Sequence, residues 1–476
     1  MRLLRGSGDE GATPTRTLHA ATPAGRRPPR RVLVFAIVGF ALFIATVDTT
    51  IVATALAAIQ HDLDAPINWS GWTITIYALG QLVAMPLSGK LSDQYGRKKV
   101  FLTSAVVFVV AAFCCSLAPN IQTLIAFRAV QALGGGAFMP SATGIVVDQF
   151  GRERDRALGL FASILPIGSA TGPIIGGLVV TYWSWRGVFV VDAALGALLI
   201  VLGLIFIPRS EPRTTARPDV PGILLLALSI LAAMYGVTSL GDVHRGVLSP
   251  HFLVAEAVAV LAGALFVWHT RRAAAPFIPM VLLRGKGFGV TNVINLLYGA
   301  ATLGLVALIP LYANRRFGIQ VLEAGILLTV QAVGTICVAG LAVLVIRRTG
   351  YRKPIFTGLL VIAVGLLVLS LGATVLPPYL CLALAAGVIG IGQGVAVPAT
   401  NNASLQLAPD QAAAIAGLRG LFRQSGSIIA VSVTTAILAR SDEPGLALAY
   451  VFAAVAVTLA GILPFVRLVP EYRGRW

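Results

Sequence analysis

Fourteen apolar runs, each near the roughly twenty residues that one helix needs to cross a bilayer, dominate this chain from residue 32 to residue 466. They lie near 32–60, 69–89, 100–118, 121–147, 157–182, 187–207, 221–241, 251–269, 288–312, 322–346, 354–375, 379–405, 412–438 and 446–466. Charged residues are 12% of the 476 and hydrophobic ones 57%, whereas soluble domains carry about 25% charged residues. Lipid offers the backbone no hydrogen-bond partner, so a spanning segment must be a helix or part of a closed barrel. Runs that are apolar on every side, without strict alternation, predict helices. The fold class expected is an all-α integral membrane protein, with too little chain left over for a catalytic domain outside the bilayer.

Basic residues set the expected orientation, because Lys and Arg collect on the cytoplasmic side. With the N-terminus inside, twenty-eight of the thirty-six Lys and Arg fall in inside segments. Outside loops hold Arg186, Arg245, Arg315, Arg316 and Arg440, and Arg128, Arg419 and Arg423 lie within runs. Both termini are thus expected in the cytoplasm. The net charge of +17 then reads as an orientation device facing anionic lipid headgroups rather than as a nucleic-acid surface. An Ala-, Gly-, Val- and Arg-rich composition with five lysines points to a high-GC bacterial genome, and hence to the plasma membrane. Cys114, Cys115, Cys337 and Cys381 sit in apolar runs without ligand spacing and read as small core residues. No metal or cofactor is expected.

The stretch Gly71 to Lys98 aligns without gaps to Gly325 to Arg352, pairing Gly80 with Gly334 and Gly96 with Gly350. An internal repeat at this offset makes span 2 the counterpart of span 10, so a six-helix unit recurs with two spans inserted between its copies. The organisation expected is a disordered basic tail (1–31), a six-helix bundle (32–208), an inserted two-helix segment (209–287), a second six-helix bundle (288–468) and a short tail (469–476).

Two charged side chains interrupt the apolar runs. Asp48 lies in Thr46-Val47-Asp48-Thr49-Thr50-Ile51 of span 1, and Arg128 in Phe127-Arg128-Ala129-Val130-Gln131 of span 4. Such groups are costly in lipid and must face a partner or a cavity. At 1.5 Å per residue, Asp48 lies about 18 Å from Gln60 and Arg128 about 12 Å from Asn120, which puts them in one layer. Tyr77 and Gln81 on span 2 reach a similar depth. A carboxyl removed from water favours its protonated form and a nearby cation favours the ionised one, so a group between the two can exchange a proton near neutral pH. Asp48 is the candidate proton carrier, and a permanent ion pair that only holds spans 1 and 4 together is the other reading. In the second half Asn295, Tyr298, Gln331 and Gln393 either line a cavity or hydrogen-bond between helices.

Three glycine-bearing segments complete the pattern. After span 2 the sequence reads Gly89-Lys90-Leu91-Ser92-Asp93-Gln94-Tyr95-Gly96-Arg97-Lys98-Lys99, taken as a loop in which an Asp among basic groups can lock two bundles together. Asp148 stands at the inner end of span 4, and a solvated helix end is one reading of it. Span 5 carries Gly168, Gly172, Pro173, Gly176 and Gly177, whose small-xxx-small frames allow close helix contact.

These segments resemble elements of the major facilitator superfamily. The Gly89 to Lys99 segment resembles its GxLaDrxGrk signature, and Arg128 with Gln131 its RxxQGxG element, although Ala132 replaces the first Gly there. The span 1 segment is similar to the lDxTIVnvAlP element of drug:proton antiporters, with Ala53 and Ala57 in place of its Asn and Pro. Gly168 to Gly177 resembles GxxxGPxxGG, the element that marks antiporters. Asp192 stands where that family usually has Asn, and Glu256 in the inserted pair is given no role.

The resemblance, with its fourteen spans, implies the major facilitator fold, two pseudo-symmetric six-helix bundles plus an inserted pair. It further implies a proton-coupled antiporter that exports drug-like or other small hydrophobic compounds by alternating access. Asp48 and Arg128 would couple the proton, while Thr49, Tyr77, Gln81, Gln131, Asn295, Tyr298, Gln331 and Gln393 line the cavity. Gly89, Asp93, Gly96, Arg97 and Asp148 would form a cytoplasmic gate, in which Asp148 resembles the family's partner for Arg97. The partners expected are the small-molecule substrate, protons and lipid, with the chain working as a monomer. An importer or metabolite exporter on the same fold, or a non-transporting sensor, remains the alternative to a drug exporter. No GxxxxGK[ST] loop occurs, so ATP hydrolysis is not the expected driver.

Overall fold

A computed structural model describes residues 28–469 apart from 151–152, 154–156, 158–159, 162–163, 211–218, 243–245, 274–275, 277–287, 373–375 and 407–411. Of 28–30, 288, 343–348, 404–406 and 412–417 it describes the backbone alone. The tails expected at 1–31 and 469–476 lie outside the described residues except for 28–31 and 469, as do parts of the connections within 209–287.

The first six long helices are α1 (Pro28–Asp62), α2 (Trp72–Tyr95), α3 (Arg97–Ser116), α4 (Ile121–Gly136, continued by Phe138–Phe150), α5 (Ile164–Tyr182) and α6 (Trp185–Phe206). The inserted pair is α7 (Val220–Ser239) and α8 (Pro250–Arg272). The second set comprises α9 (Phe288–Gly299, running on through a π-helical turn at Ala300–Leu305 to Phe317), α10 (Val321–Thr349), α11 (Arg352–Leu371), α12 (Pro378–Gln406), α13 (Ala412–Ala439) and α14 (Pro444–Ile462). Among the described residues there is no strand. Thirteen of the fourteen helices are long and apolar enough to cross a membrane, α2 being the exception. Thr73, Thr75, Tyr77, Gln81 and Ser88 lower its hydropathy, so length and composition account for thirteen of the fourteen spans expected.

Local signals set many of the helix ends. Asn120, Ser184, Asp219 and Ser249 each accept a backbone N–H of the first turn of the helix that follows, and prolines stand in the first turns of α7, α8 and α14. Gly318 ends α9 in the left-handed conformation (φ 66°). Large apolar side chains cover the exterior, and a few polar and charged ones lie inside an otherwise apolar core. Val110, Leu204, Val260, Leu261 and Val457 are each more than half exposed, whereas Asp48, Gln131 and Asp192 are fully buried. An exterior of this kind suits lipid, where the solvent itself is apolar.

The repeat is visible in the backbone. Gly96 (φ 95°) and Gly350 (φ 73°) break the chain after α2 and α10 at equivalent places. A Cβ on Gly80 would stand 2.4 Å from Ala132 of α4, and one on Gly334 3.0 Å from the Gly387 carbonyl of α12, so both copies use a glycine for the same helix crossing. The segment from Gly89 to Tyr95, expected as a loop, is the last two turns of α2. Gly89 is helical without needing its conformational freedom, and the break waits until Gly96, which alone adopts a backbone angle that favours glycine.

Small residues set the tightest contacts. On α5, Gly168, Gly172 and Gly176 face Thr46, Thr50 and Thr54 of α1, a ladder in steps of four on both helices. Across the two halves, a Cβ on Gly325 of α10 would lie 2.5 Å from the Pro173 carbonyl, and one on Gly177 3.0 Å from Leu322 Cα. Thr329 Oγ1 donates to the Ala170 carbonyl (2.9 Å). At the loop end of α1, Arg315 Nη2 donates to Gln60 Oε1 (2.6 Å). Helix α7 and the turn that follows it tie both halves at that same end. Trp72 Nε1 donates to Thr238 Oγ1 (2.6 Å) and Asn68 Nδ2 to the Thr238 carbonyl (3.0 Å), while Arg440 donates to the Asp242 carbonyl (3.1 Å).

Candidate functional site

Midway along α1 and α4, Arg128 Nη1 lies 2.7 Å from Asp48 Oδ1, with the two side chains 1% and 0% exposed. The packing of α1 on the second part of α4, and of α4 on α2, brings these helices together. The guanidinium is held on several sides. Its Nε donates to the Thr73 carbonyl (3.2 Å) and Nη1 also to Gln131 Oε1 (2.8 Å), one turn along α4. Gln131 Nε2 in turn donates to Asp48 Oδ1 (3.2 Å). The Tyr77 ring lies beneath the guanidinium, 4.0 Å from centroid to Cζ, and Phe189 of α6 approaches from another side at 5.6 Å. Aromatic faces suit a desolvated cation. A buried ion pair of this kind survives only with such extra partners, since Coulomb attraction alone does not repay the loss of water.

Sequence reading brings Asp48, Arg128, Tyr77 and Gln81 to one layer; in the structure Arg128 touches Asp48, Gln131 and the Tyr77 ring, while Gln81 pairs with Gln424 instead. It does not find the Thr73 carbonyl, a backbone partner with no side-chain signature, or the Cys115 thiol, which lies 3.7 Å from Gln131 Oε1. It leaves Asp192 without a role. This carboxyl on α6 is fully buried beside the cluster, within hydrogen-bonding reach of Asp48.

The remaining cavity candidates fall into smaller groups. Gln81 is buried and accepts from Gln424 Nε2 (3.3 Å), a contact between α2 and α13 across the two halves. Gln331 Nε2 donates to Gln393 Oε1 and to Thr335 Oγ1, linking α10 to α12. Tyr298 is buried with the Arg423 guanidinium 5.0 Å from its ring centroid. There α9 and α13 touch so closely that a Cβ on Gly299 would meet the Arg423 carbonyl at 1.9 Å, beside the π-helical turn. Thr49 and Asn295 bond to their own helices, at the Thr46 carbonyl (2.6 Å) and the Thr291 carbonyl (2.8 Å). A cavity of about 270 Å³ lies elsewhere, at the loop end of α1, lined by Gln60, Ile67, Leu311, Arg315 and Leu438 among others.

At the opposite end, Arg97 Nη1 lies 2.7 Å from Asp148 Oδ1 and Nη2 3.6 Å from Asp93 Oδ1. Arg97 also donates to the Gly144 carbonyl. Lys98 reaches the end of α6, its Nζ donating to the Leu204 (2.9 Å) and Ile207 (2.5 Å) carbonyls. Gly96 permits this junction, because a Cβ there would stand 2.6 Å from the Ser210 carbonyl. Of the cysteines, Cys115 is buried, Cys114 and Cys381 are partly buried, and Cys337 is exposed on the surface of α10. The core reading therefore fails at Cys337, because an apolar run has a lipid-facing side as well as an inner one.

Known proteins place this architecture. The chain is similar to the methylenomycin A resistance protein of Streptomyces coelicolor, 32% identical over 93% of this chain and 94% of that protein. It is also similar to the multidrug transporter protein MdtP of Bacillus subtilis, 27% identical over 88% and 77%. Among solved structures, the peptide transporter POT in complex with sulfate matches with a TM-score of 0.68 at 14% identity, covering 92% of this chain and 95% of that one. The xylose transporter XylE from E. coli matches at 0.63 and 13%, covering 94% and 100%. At such identities these two establish a shared fold. The family model described as Major Facilitator Superfamily matches residues 38–431 and again 291–476. With two repeated six-helix sets, an inserted pair and an apolar exterior, this multi-pass membrane protein belongs to the Major Facilitator Superfamily of transporters.

Proposed function

We propose that the chain exports drug-like or other small hydrophobic compounds across the plasma membrane in exchange for protons, by alternating access, with both termini in the cytoplasm. The observation that carries this reading is the Asp48–Arg128 pair, a titratable carboxyl sealed at mid-helix in a transporter fold with no nucleotide site in its sequence. A proton arriving at Asp48 weakens its hold on Arg128, and a substrate entering the layer of Tyr77, Gln81 and Gln131 competes for the same groups. The Arg97–Asp148 and Arg97–Asp93 pairs act as the cytoplasmic gate of this cycle. Relatives named for methylenomycin A resistance and multidrug transport favour an exported antimicrobial as cargo.

A growth-inhibition screen in a pump-deficient host tests the cargo, beginning with methylenomycin A and extending to dyes and biocides, with Asp48→Asn as the control. Everted vesicles then test direction and coupling. Uptake of the hit compound is expected to need an imposed pH gradient and to vanish in Asp48→Asn. Normal gradient-driven uptake by that variant would remove Asp48 from the mechanism, and flux in the opposite direction would make the chain an importer.

A further inference from the structure

The cluster around Arg128 holds one cation and two carboxyls. Asp48 Oδ1 accepts from Arg128 and Gln131, but Asp48 Oδ2 and both oxygens of Asp192 receive no hydrogen bond although all are buried. Asp192 lies on α6 one turn beyond Phe189, whose ring faces the same guanidinium, and its carboxyl is within hydrogen-bonding reach of Asp48. The other titratable groups turned towards it are the Tyr77 hydroxyl and the Cys115 thiol. Tyr and Cys ordinarily keep their protons at neutral pH, so neither supplies a charge. If both carboxyls were ionised, the cluster would carry one uncompensated negative charge away from water, which is the costliest state a protein interior can hold. Two ionised carboxyls side by side would also repel each other, a repulsion that the neutral Tyr77 hydroxyl nearby does not cancel.

We propose that Asp192 is a second proton-binding group of the site, and that in this conformation a single proton is held between Asp192 and Asp48. The Asp192 O–H donates to Asp48 Oδ2, Asp48 remains the carboxylate that faces Arg128, and the cluster is neutral. That one proton joins an Asp192 oxygen to Asp48 Oδ2, two of the three buried oxygens that otherwise make no hydrogen bond. The site then has capacity for two protons, the second entering when Asp48 releases Arg128. This rests on the proton-coupled reading above and extends it from one carrier to a pair.

Infrared spectroscopy of the purified full-length protein tests the pair without any substrate. A protonated buried carboxyl shows a C=O stretch that shifts on exchange into heavy water, and Glu256→Gln serves as the background, removing the carboxyl in α8. At neutral pH one such band is expected in this background. It should be absent in Asp192→Asn, where Asp48 stays ionised against Arg128. It should be absent too in Asp48→Asn, where Asp192 becomes the partner of Arg128, and retained in Asp192→Glu. A band that persists in Asp192→Asn or in Asp48→Asn, or no band in the background protein, overturns the shared proton. Melting curves in detergent establish that each variant is folded. The outcome is separable from antiport itself. Normal gradient-driven export by Asp48→Asn would sink the coupling mechanism and leave the band intact, whereas a band surviving Asp192→Asn would sink the pair and leave antiport standing.

Discussion

Thr50 Oγ1 stands where a side chain on residue 172 would have to go: a Cβ built on Gly172 would lie 2.0 Å from it and 3.1 Å from the Val47 carbonyl. The hydroxyl is not free to swing away, because it bonds to the carbonyls of Thr46 and Val47 on its own helix. Gly172→Ala is therefore expected to lower stability by about 1–3 kcal/mol, the usual cost of overpacking. The same change in a Thr50→Ala background should recover part of the loss. Gly461→Ala, at a position with no atom within 4 Å of the added carbon, should leave the melting temperature in detergent unchanged or slightly raised.

Arg128→Ala leaves Asp48 charged and buried without its cation, and breaking a buried pair in this way costs about 3–5 kcal/mol. Adding Asp48→Asn to that variant should restore part of the lost stability, because the orphaned charge is gone. Arg128→Lys is expected to fall between the two, since a single ammonium cannot serve Thr73, Gln131 and Asp48 from the positions that Nε and Nη1 occupy. Thermal melting of the purified proteins ranks all four.

The Arg97–Asp148 pair is mostly buried, with side chains 13% and 19% exposed. Arg97→Asp or Asp148→Arg alone places like charges together and should cut export several-fold, whereas the double exchange should return part of it. Gly96→Ala tests the same junction through the backbone. It forces a side chain into a positive φ and against the Ser210 carbonyl, at a cost of about 1–3 kcal/mol. Export rates in vesicles, normalised to protein amount, separate a gate effect from poor folding.

Thr238→Val removes the acceptor of the buried Trp72 indole. An orphaned buried donor costs about 1–3 kcal/mol, while Thr238→Ser should keep the bond and most of the stability. Because this bond joins the inserted pair to α2, a loss in Thr238→Val without a loss in Thr238→Ser shows that α7 braces the first half.

The helical nature of the apolar runs and the repeat are legible in the sequence because lipid permits few alternatives, whereas the fourteen spans expected meet thirteen helices long and apolar enough among the described residues. Depth counting brought Asp48 and Arg128 to one level because rise per residue is constant along a helix. The count gives height, however, and not azimuth. Asp192 stayed unassigned because only the packed bundle shows that α6 turns this residue, together with Phe189, towards Arg128. The Arg97–Asp148 contact was one of two open readings, since a helix end looks the same in sequence whether it meets solvent or a cation. The last turns of α2 read as a loop in sequence because the apolar run ends near Gly89 and charged residues follow, yet a helix can run on past the end of its apolar stretch, as this one does to Tyr95. Gln331 with Gln393, and Gln81 with Gln424, required tertiary pairing that no local pattern encodes.

At two points the seam between α5 and α10 brings main chain against main chain, with Gly325 against the Pro173 carbonyl and Gly177 against Leu322 Cα, and Thr329 adds a single side-chain hydrogen bond to the Ala170 carbonyl. Interlocking knobs would have to unmesh each time two bundles rocked; a smooth bearing does not. Rolling along this axle therefore demands little rearrangement, and a bulky graft at 177 or 325 should behave as a wedge, jamming the proposed cycle in one posture while each bundle stays whole.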